Sequence, residues 1–325
     1  MTKAIRIHAY GGPEAMSWDD VEVGEPGDGE ALVRHTAVGL NFIDVYMRSG
    51  QYPQPAFPAG IGLEGAGVVE AVGTGVEDVA VGDRVAYAGG PPGSYCQSRL
   101  MPAAQLVIIP DGVEDNQAAA MMLKGMTVEY LLRRTYPVKS GDTILFHAAA
   151  GGVGLIACQW AKHLGATVIG TVGNGAKAEE AAAHGCDYPI IVTEENFVAK
   201  VREITDGAGV PVVYDSVGKA TFNGSLDCLS PLGMMVLFGQ SSGAVPPFEI
   251  ATLGAKGSLF LTRPSLMAYN ATREALVASA AALFDVIAAG HVKIEINQTY
   301  PLEDVIQAHT DLEARKTTGS TVLVP

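Results

Sequence analysis

The stretch Phe146-His147-Ala148-Ala149-Ala150-Gly151-Gly152-Val153-Gly154 stands where an apolar run, Thr143-Ile144-Leu145-Phe146-His147, gives way to a helical pattern over residues 152–164. Small side chains at such a turn let the backbone approach a pyrophosphate. The start of the following helix adds unpaired N–H groups at its positive dipole end. On the G-x-G-x-x-G spacing of dinucleotide sites, Ala149 takes the first position and Gly151 and Gly154 the second and third. The strand–loop–helix–strand context makes a dinucleotide the expected ligand, with Gly151, Gly152 and Val153 against it.

An NAD site normally carries an Asp or Glu about 20 residues on, at the end of the second strand, to hold the ribose hydroxyls. Here the strand Thr167-Val168-Ile169-Gly170-Thr171-Val172 runs into Gly173-Asn174-Gly175-Ala176-Lys177. No carboxylate is present there to repel a 2′-phosphate, and Lys177 opens the next helix where it can attract one. NADPH/NADP+ is therefore the expected cofactor, with Gly173, Asn174 and Lys177 at its adenosine end.

These residues need a frame. From about residue 126 the pattern alternates strand and helix, through Tyr188–Val192, Val212–Asp215, Met234–Phe238 and Ser258–Thr262. Parallel neighbours need crossover connections, so this alternation predicts a doubly wound parallel sheet. The first 125 residues read as β-rich, with short apolar stretches between Gly, Pro and Asp. Residues 270–289 form an Ala-rich amphipathic helix, and the tail reads strand, helix, strand, returning to the first domain. The expected division is 1–125, 126–265 and 266–325.

Hydrophobic residues make up 48% of the 325 and charged residues 17%, which supplies a core and argues against disorder. The net charge of −14 repels phosphate backbones and anionic lipid, so nucleic acid and membrane surfaces are poor partners. No apolar run reaches 18 residues, and the N-terminus turns polar before a signal-peptide core can form. The expectation is a cytoplasmic globular protein. Cysteines at 96, 158, 186 and 228 have no chelating or CxxC spacing and read as buried free thiols. A histidine that ends an apolar strand, His147, reads as a hydrogen-bonded core residue.

Gly141-Asp142-Thr143-Ile144-Leu145, Ala149 to Gly154, Gln159 and Lys162 resemble the signature of the quinone oxidoreductase and zeta-crystallin family. The likeness runs over essentially the whole chain. Asn41–Gly50 with Tyr52-Pro53 resembles the family's substrate-side motif. Tyr214–Gly218, Phe238–Gly243 and Leu261–Ser265 resemble its later cofactor loops. The family is a branch of the medium-chain dehydrogenase/reductases, so the resemblance implies an α/β chain with a GroES-like β-rich catalytic domain and a Rossmann domain. It places Asn41 and Asp44 at the nicotinamide end and Tyr46 and Tyr52 beside the acceptor. It also puts Lys124, Thr127 and Tyr130 near ribose and phosphates, and Ser216, Phe238, Gly239, Ser241, Thr262 and Arg263 on the ligand edge of the sheet. Some bacterial relatives carry a Tyr near position 192, where Val192 stands here. A homodimer joined through the edge strand 258–262 is implied as well.

Zinc alcohol dehydrogenases of the same superfamily carry a Cys and a Gly-His-Glu motif in the first domain. The corresponding stretches here read Asn41-Phe42-Ile43-Asp44 and Gly62-Leu63-Glu64, too few ligands for zinc. No metal is expected. Without a Lewis acid, reduction of a simple carbonyl to an alkoxide is difficult, whereas a quinone gives a ring-delocalised, phenolate-like anion. The expected activity is NADPH-dependent quinone reduction by hydride transfer. An enoyl reductase acting on 2-alkenals or 2-enones is the alternative, as is a non-catalytic crystallin-like or RNA-binding role, against which the charge argues.

Overall fold

The computed structural model describes residues 1–325. The chain divides into two compact units. One comprises Met1–Lys124, Ala271–Phe284 and Ile294–Pro325, and the other Gly125–Asn270 and Asp285–Lys293. The tail from residue 266 thus does not belong wholly to the first unit. Within the second unit, Gln159 brackets the Lys293 backbone, donating to its carbonyl at 3.0 Å and accepting from its N–H at 2.8 Å. His291 also stacks on His163, with ring centroids 3.7 Å apart.

The first unit opens with β1 (Thr2–Ile7), β2 (Met16–Val21), β3 (Glu30–Leu40), the helix α1 (Phe42–Arg48), and β4 (Ala59–Gly60). It continues through β5 (Glu64–Val72), β6 (Arg84–Ala88), β7 (Ser98–Pro102), β8 (Val107–Ile108) and the first part of α2 (Asp115–Tyr130), whose residues from Gly125 belong to the second unit. Strand β3 alternates as a half-buried strand should, with Ala31 and Val33 inward, and becomes buried throughout from Ala37 to Leu40. The short α1 starts because Asn41 and Asp44 form a capping box, Asn41 capping the N-terminus and Asp44 reaching back to the Asn41 N–H.

The second unit contains β9 (Thr143–Phe146), α3 (Gly152–His163), β10 (Thr167–Val172), α4 (Gly175–Ala183), β11 (Tyr188–Ile191) and α5 (Phe197–Ile204). Then follow β12 (Val210–Asp215), α6 (Phe222–Cys228), β13 (Leu229–Leu237), α7 (Ala251–Ala255), β14 (Phe260–Thr262) and α8 (Leu266–Tyr269). All neighbours are parallel, in the order β11-β10-β9-β12-β13-β14. Chain order reverses between β9 and β12, which is where doubly wound sheets open a ligand crevice at their carboxyl ends. The expected fold class is the observed one. Leu145, Ile169, Val213 and Met235 of the sheet form a core with Phe222 and Leu226 of α6.

After α9 (Arg273–Ala288) come β15 (Ile296–Pro301), α10 (Val305–Glu313) and β16 (Ser320–Val324). Strand β16 pairs antiparallel with β3 inside the seven-stranded sheet of the first unit, and Val305, Ala308 and Leu323 join its core. No helix is long and apolar enough to cross a membrane.

Candidate active site

Every sheet-borne cofactor residue expected from the sequence lies after the carboxyl end of a strand of the parallel sheet. Gly151, Gly152 and Val153 follow β9; Gly173, Asn174 and Lys177 follow β10; Ser216 follows β12. Phe238, Gly239 and Ser241 follow β13, and Thr262 and Arg263 close β14. Strand registers set these ends level: Tyr214 pairs with Phe146, Asp215 with Leu237, and Val236 with Thr262. Gly151 caps α3, whose first internal bond runs from Leu155 N to Gly151 O. The N–H groups of Gly152, Val153 and Gly154 come before that bond and have no helical acceptor. A Cβ at Gly154 would stand 2.4 Å from the Ala148 carbonyl and 2.5 Å from that of Ala149, so only glycine fits. The turn itself is strained at Ala148, an alanine in the left-handed region at φ 57°.

At the end of β10, a Cβ on Gly173 would meet nothing within 4 Å, so the backbone there is open to its surroundings. Asn174 has a structural role beyond the one expected: its side chain caps α4 by accepting from Lys177 N at 3.0 Å. Arg263 is exposed and donates to Leu237 O at 3.1 Å, tying β14 to the loop after β13. Val192 is exposed.

Beneath these loops runs one buried chain of hydrogen bonds. Ala148 N donates to Thr171 Oγ1 at 3.3 Å, and Thr171 Oγ1 lies 2.8 Å from His147 Nδ1. His147 Nε2 lies 2.9 Å from Ser225 Oγ, which donates to Asp215 Oδ2 at 2.9 Å. Because the serine hydrogen goes to Asp215, His147 must donate at Nε2 and accept at Nδ1. It is a neutral core imidazole, as the sequence suggested, and burial lowers its pKa. Asp215 also accepts from Val217 N, Gly218 N and Thr221 Oγ1. Thr171, Asp215 and Ser225 were not singled out by the sequence; a hydroxyl or carboxylate near a strand end was the only signal for the first two, and Ser225, inside α6, had none.

In the first unit, Tyr46 and Tyr52 pack edge to face with centroids 5.4 Å apart, and Phe42 lies 6.1 Å from Tyr46. Tyr52 N donates to Tyr46 O at 3.0 Å. Asp44 differs from expectation. It is fully buried, committed to the cap and to Tyr95, and presents no carboxylate at a surface. Asn41 Nδ2 donates to Glu64 Oε2 at 2.7 Å, and Lys124 Nζ lies 3.2 Å from the same oxygen. Lys124 is thus a buried ion-pair partner rather than a free cation, and Glu64, missed as a functional residue, organises it. In the second unit, Thr127 is buried, and Tyr130 stacks on Tyr269 at 4.4 Å. Burial raises the Tyr130 phenol well above its ordinary value. No three His, Cys, Asp or Glu side chains are grouped to hold a metal, and all four cysteines are buried.

Two family profiles match the chain: "Alcohol dehydrogenase GroES-like domain" over residues 27–111 and "Zinc-binding dehydrogenase" over residues 152–280. Fold and site together define a dehydrogenase of the GroES-like and Rossmann architecture. The chain is 54% identical to a Pseudomonas aeruginosa quinone oxidoreductase over 325 residues, covering 100% of both. It superposes on the structure of Escherichia coli quinone oxidoreductase complexed with NADPH at a TM-score of 0.98 and 49% identity, covering 99% of this chain and 100% of that one. A 2-haloacrylate reductase of Burkholderia is 46% identical, covering 100% of this chain and 99% of the relative. The chain belongs to the quinone oxidoreductase family.

The buried chain predicts a specific loss. Ser225→Ala strands the His147 Nε2–H and removes one donor from Asp215. An unsatisfied buried donor costs about 1–3 kcal/mol, so chemical denaturation should show a loss of that size. A change below a few tenths would mean that His147 finds another acceptor.

Proposed function

We propose that the protein reduces quinones with hydride taken from NADPH. The observation that carries the cofactor choice is the end of β10, where no acid follows the strand and Lys177 stands in the first turn of α4. The fit is good: the free N–H groups at the start of α3 suit the pyrophosphate, and Lys177 suits a 2′-phosphate. Ser216, Phe238, Gly239, Ser241, Thr262 and Arg263, at the ends of β12, β13 and β14, complete the proposed ligand edge. NADPH supplies the hydride when bound.

The first unit's part is to orient the acceptor. Tyr46 and Tyr52 offer an aromatic platform on which a flat conjugated ring can stack. The reduced ring is a weak base with a phenol-like pKa of about 10, so water can protonate it. Proximity and orientation then supply the rate, and no indispensable acid is required. Glu64 is engaged by Asn41 and Lys124, so the stretch that binds zinc in related alcohol dehydrogenases offers no open ligand set; the mechanism is metal-free. The 2-haloacrylate reductase among the relatives favours conjugated acrylates as the second acceptor class.

The working assembly is a homodimer through β14. This strand ends the sheet, and its Phe260 is 56% exposed; Ile250 and Leu232 of the same unit are 80% and 68% exposed. An unpaired, apolar edge pairs readily with a second copy. Four buried thiols suit a reducing cytoplasm.

Three measurements test this reading. NADPH oxidation across quinones, 2-alkenals, acrylates and simple aldehydes should be fastest with quinones; preference for an enal or acrylate would replace the quinone assignment. A charge-assisted contact is worth about 1.5–3 kcal/mol, so Lys177→Ala should weaken NADPH roughly 10- to 100-fold and NADH little. Equal losses for both cofactors would give Lys177 another role. Light scattering should return a dimer mass, and a monomer at micromolar concentration would remove the edge-strand assembly.

A further inference from the structure

Helix α1 carries Asp44 in its first turn and Arg48 in its last, four residues apart and therefore on one face. Two side chains from elsewhere in the unit join them. Tyr95 Oη donates to Asp44 Oδ2 at 2.7 Å, and His309 Nε2 lies 3.1 Å from Tyr95 Oη. Arg48 Nη1 lies 3.1 Å from His309 Nδ1. With the helix backbone these bonds close a ring. A guanidinium can only donate, so His309 accepts at Nδ1, carries its proton at Nε2, and donates to Tyr95. Every bond then points toward the carboxylate. Arg48 Nη2 also donates to both Glu313 oxygens, at 2.9 and 2.8 Å, which fastens the ring to α10 a second time. Asp44, Tyr95, Arg48 and His309 are all buried.

The carboxylate is loaded unevenly. Oδ2 takes both Tyr95 and the Asn41 N–H, while Oδ1 is buried with no partner. Around it, Tyr95 and Asn41 favour the charged form, Glu64 opposes it and Lys124 assists it; burial outweighs them and pushes the group up to about 7. His309 is held neutral, pushed down to about 3 by burial and then by the Arg48 charge.

We propose that this ring is the positioning device of the acceptor platform, with Asp44, Tyr95 and His309 as positioning residues. Tyr46 lies on α1 between the two anchors, and its carbonyl and ring hold Tyr52. Bonds to a charged acceptor are about twice as strong as bonds to a neutral one. Protonating Asp44 therefore weakens both bonds at Oδ2, loosens the start of α1 and lets the platform shift. The inference rests on the acceptor reading given above.

Two readouts separate the ring from that reading. The first follows the Asp44 carboxyl by carbon NMR against pH in the protein without acceptor. Its midpoint should lie near neutrality, and in Tyr95→Phe about one unit higher, because a bond that favours the carboxylate is gone. An ordinary carboxylate midpoint, or no move in Tyr95→Phe, overturns the ring. The second is steady-state kinetics with benzoquinone. In the wild type, kcat/KM for the acceptor should fall on the acid side of neutrality while KM for NADPH stays level. Asp44→Asn should be flat with pH, its acceptor KM raised about 10-fold by the lost charge-assisted bonds. An acid limb that survives in Asp44→Asn overturns the link to the platform. His309→Gln keeps a donor and an acceptor and should recover most of the acceptor affinity that His309→Leu loses; equal losses overturn the hydrogen-bonding role. A wild type that turns over no acceptor removes the platform role together with the acceptor reading, and the carboxyl titration still decides the ring.

Discussion

The carboxyl edge of the parallel sheet depends on one buried carboxylate. Asp215 closes β12, next to the point where strand order reverses, and it is wholly buried. A lone charge there would cost far more than a domain's net stability, so it exists only because donors surround it. Two are N–H groups of its own loop, Val217 and Gly218, and two are the hydroxyls of Thr221 and Ser225. Through Ser225 the same charge reaches His147 and then Thr171, which accepts from Ala148 at the glycine loop. The ends of β9, β10 and β12 are thereby fixed to one another. Loops fixed in advance lose less freedom when they take up a ligand, which favours binding without any added contact.

The two units solve the same problem with the same part. Each buries a carboxylate, and each links it to a distant element through a neutral imidazole, His147 in one and His309 in the other. A neutral imidazole offers one donor and one acceptor at opposite corners of a rigid ring, so it passes the direction of a hydrogen-bond chain from one element to the next. In both cases burial lowers the pKa, which keeps the ring in the only form that satisfies both neighbours. With both nitrogens occupied and no exposure, neither histidine is available as a general acid or base. They are connectors.

Much of the fold was legible because alternation of apolar runs and helical stretches is a local signal, read residue by residue from Thr143 to Thr262. The glycine loop was legible for the same reason, since close approach demands small residues at fixed offsets. The fates of Asp44 and Lys124 were not. A motif position shows that a residue is near a site, but its polar atoms are allotted by partners far away in sequence: Tyr95 for Asp44, Glu64 for Lys124, and His309 and Glu313 for Arg48. Asn174 was read only as a ligand-side residue, whereas an Asn ahead of a helix can also cap it, and here its side chain does so. The left-handed Ala148 also has no sequence signature, as alanine is not the residue such a conformation favours.

The Glu64–Lys124 pair shows how the first unit uses a buried charge to fix its elements. A buried ion pair seldom adds much stability over an apolar pair of similar size, so its value lies in what it fixes. Glu64 Oε2 receives both Lys124 and Asn41, and Oε1 receives the Leu123 N–H, which ties the start of β5 to α2 and to the cap of α1. The fit leaves no slack: a Cβ on Gly39 of β3 would lie 2.2 Å from Glu64 Oε2 and equally close to the Ala119 carbonyl. With its charge balanced inside the protein, Glu64 neither attracts a cation nor repels an electron-rich product. Asn41, held by its amide and its N–H alike, is fixed at the head of α1. Groups fixed in this way lose little freedom when a ligand arrives, so whatever they orient is oriented at small entropic cost.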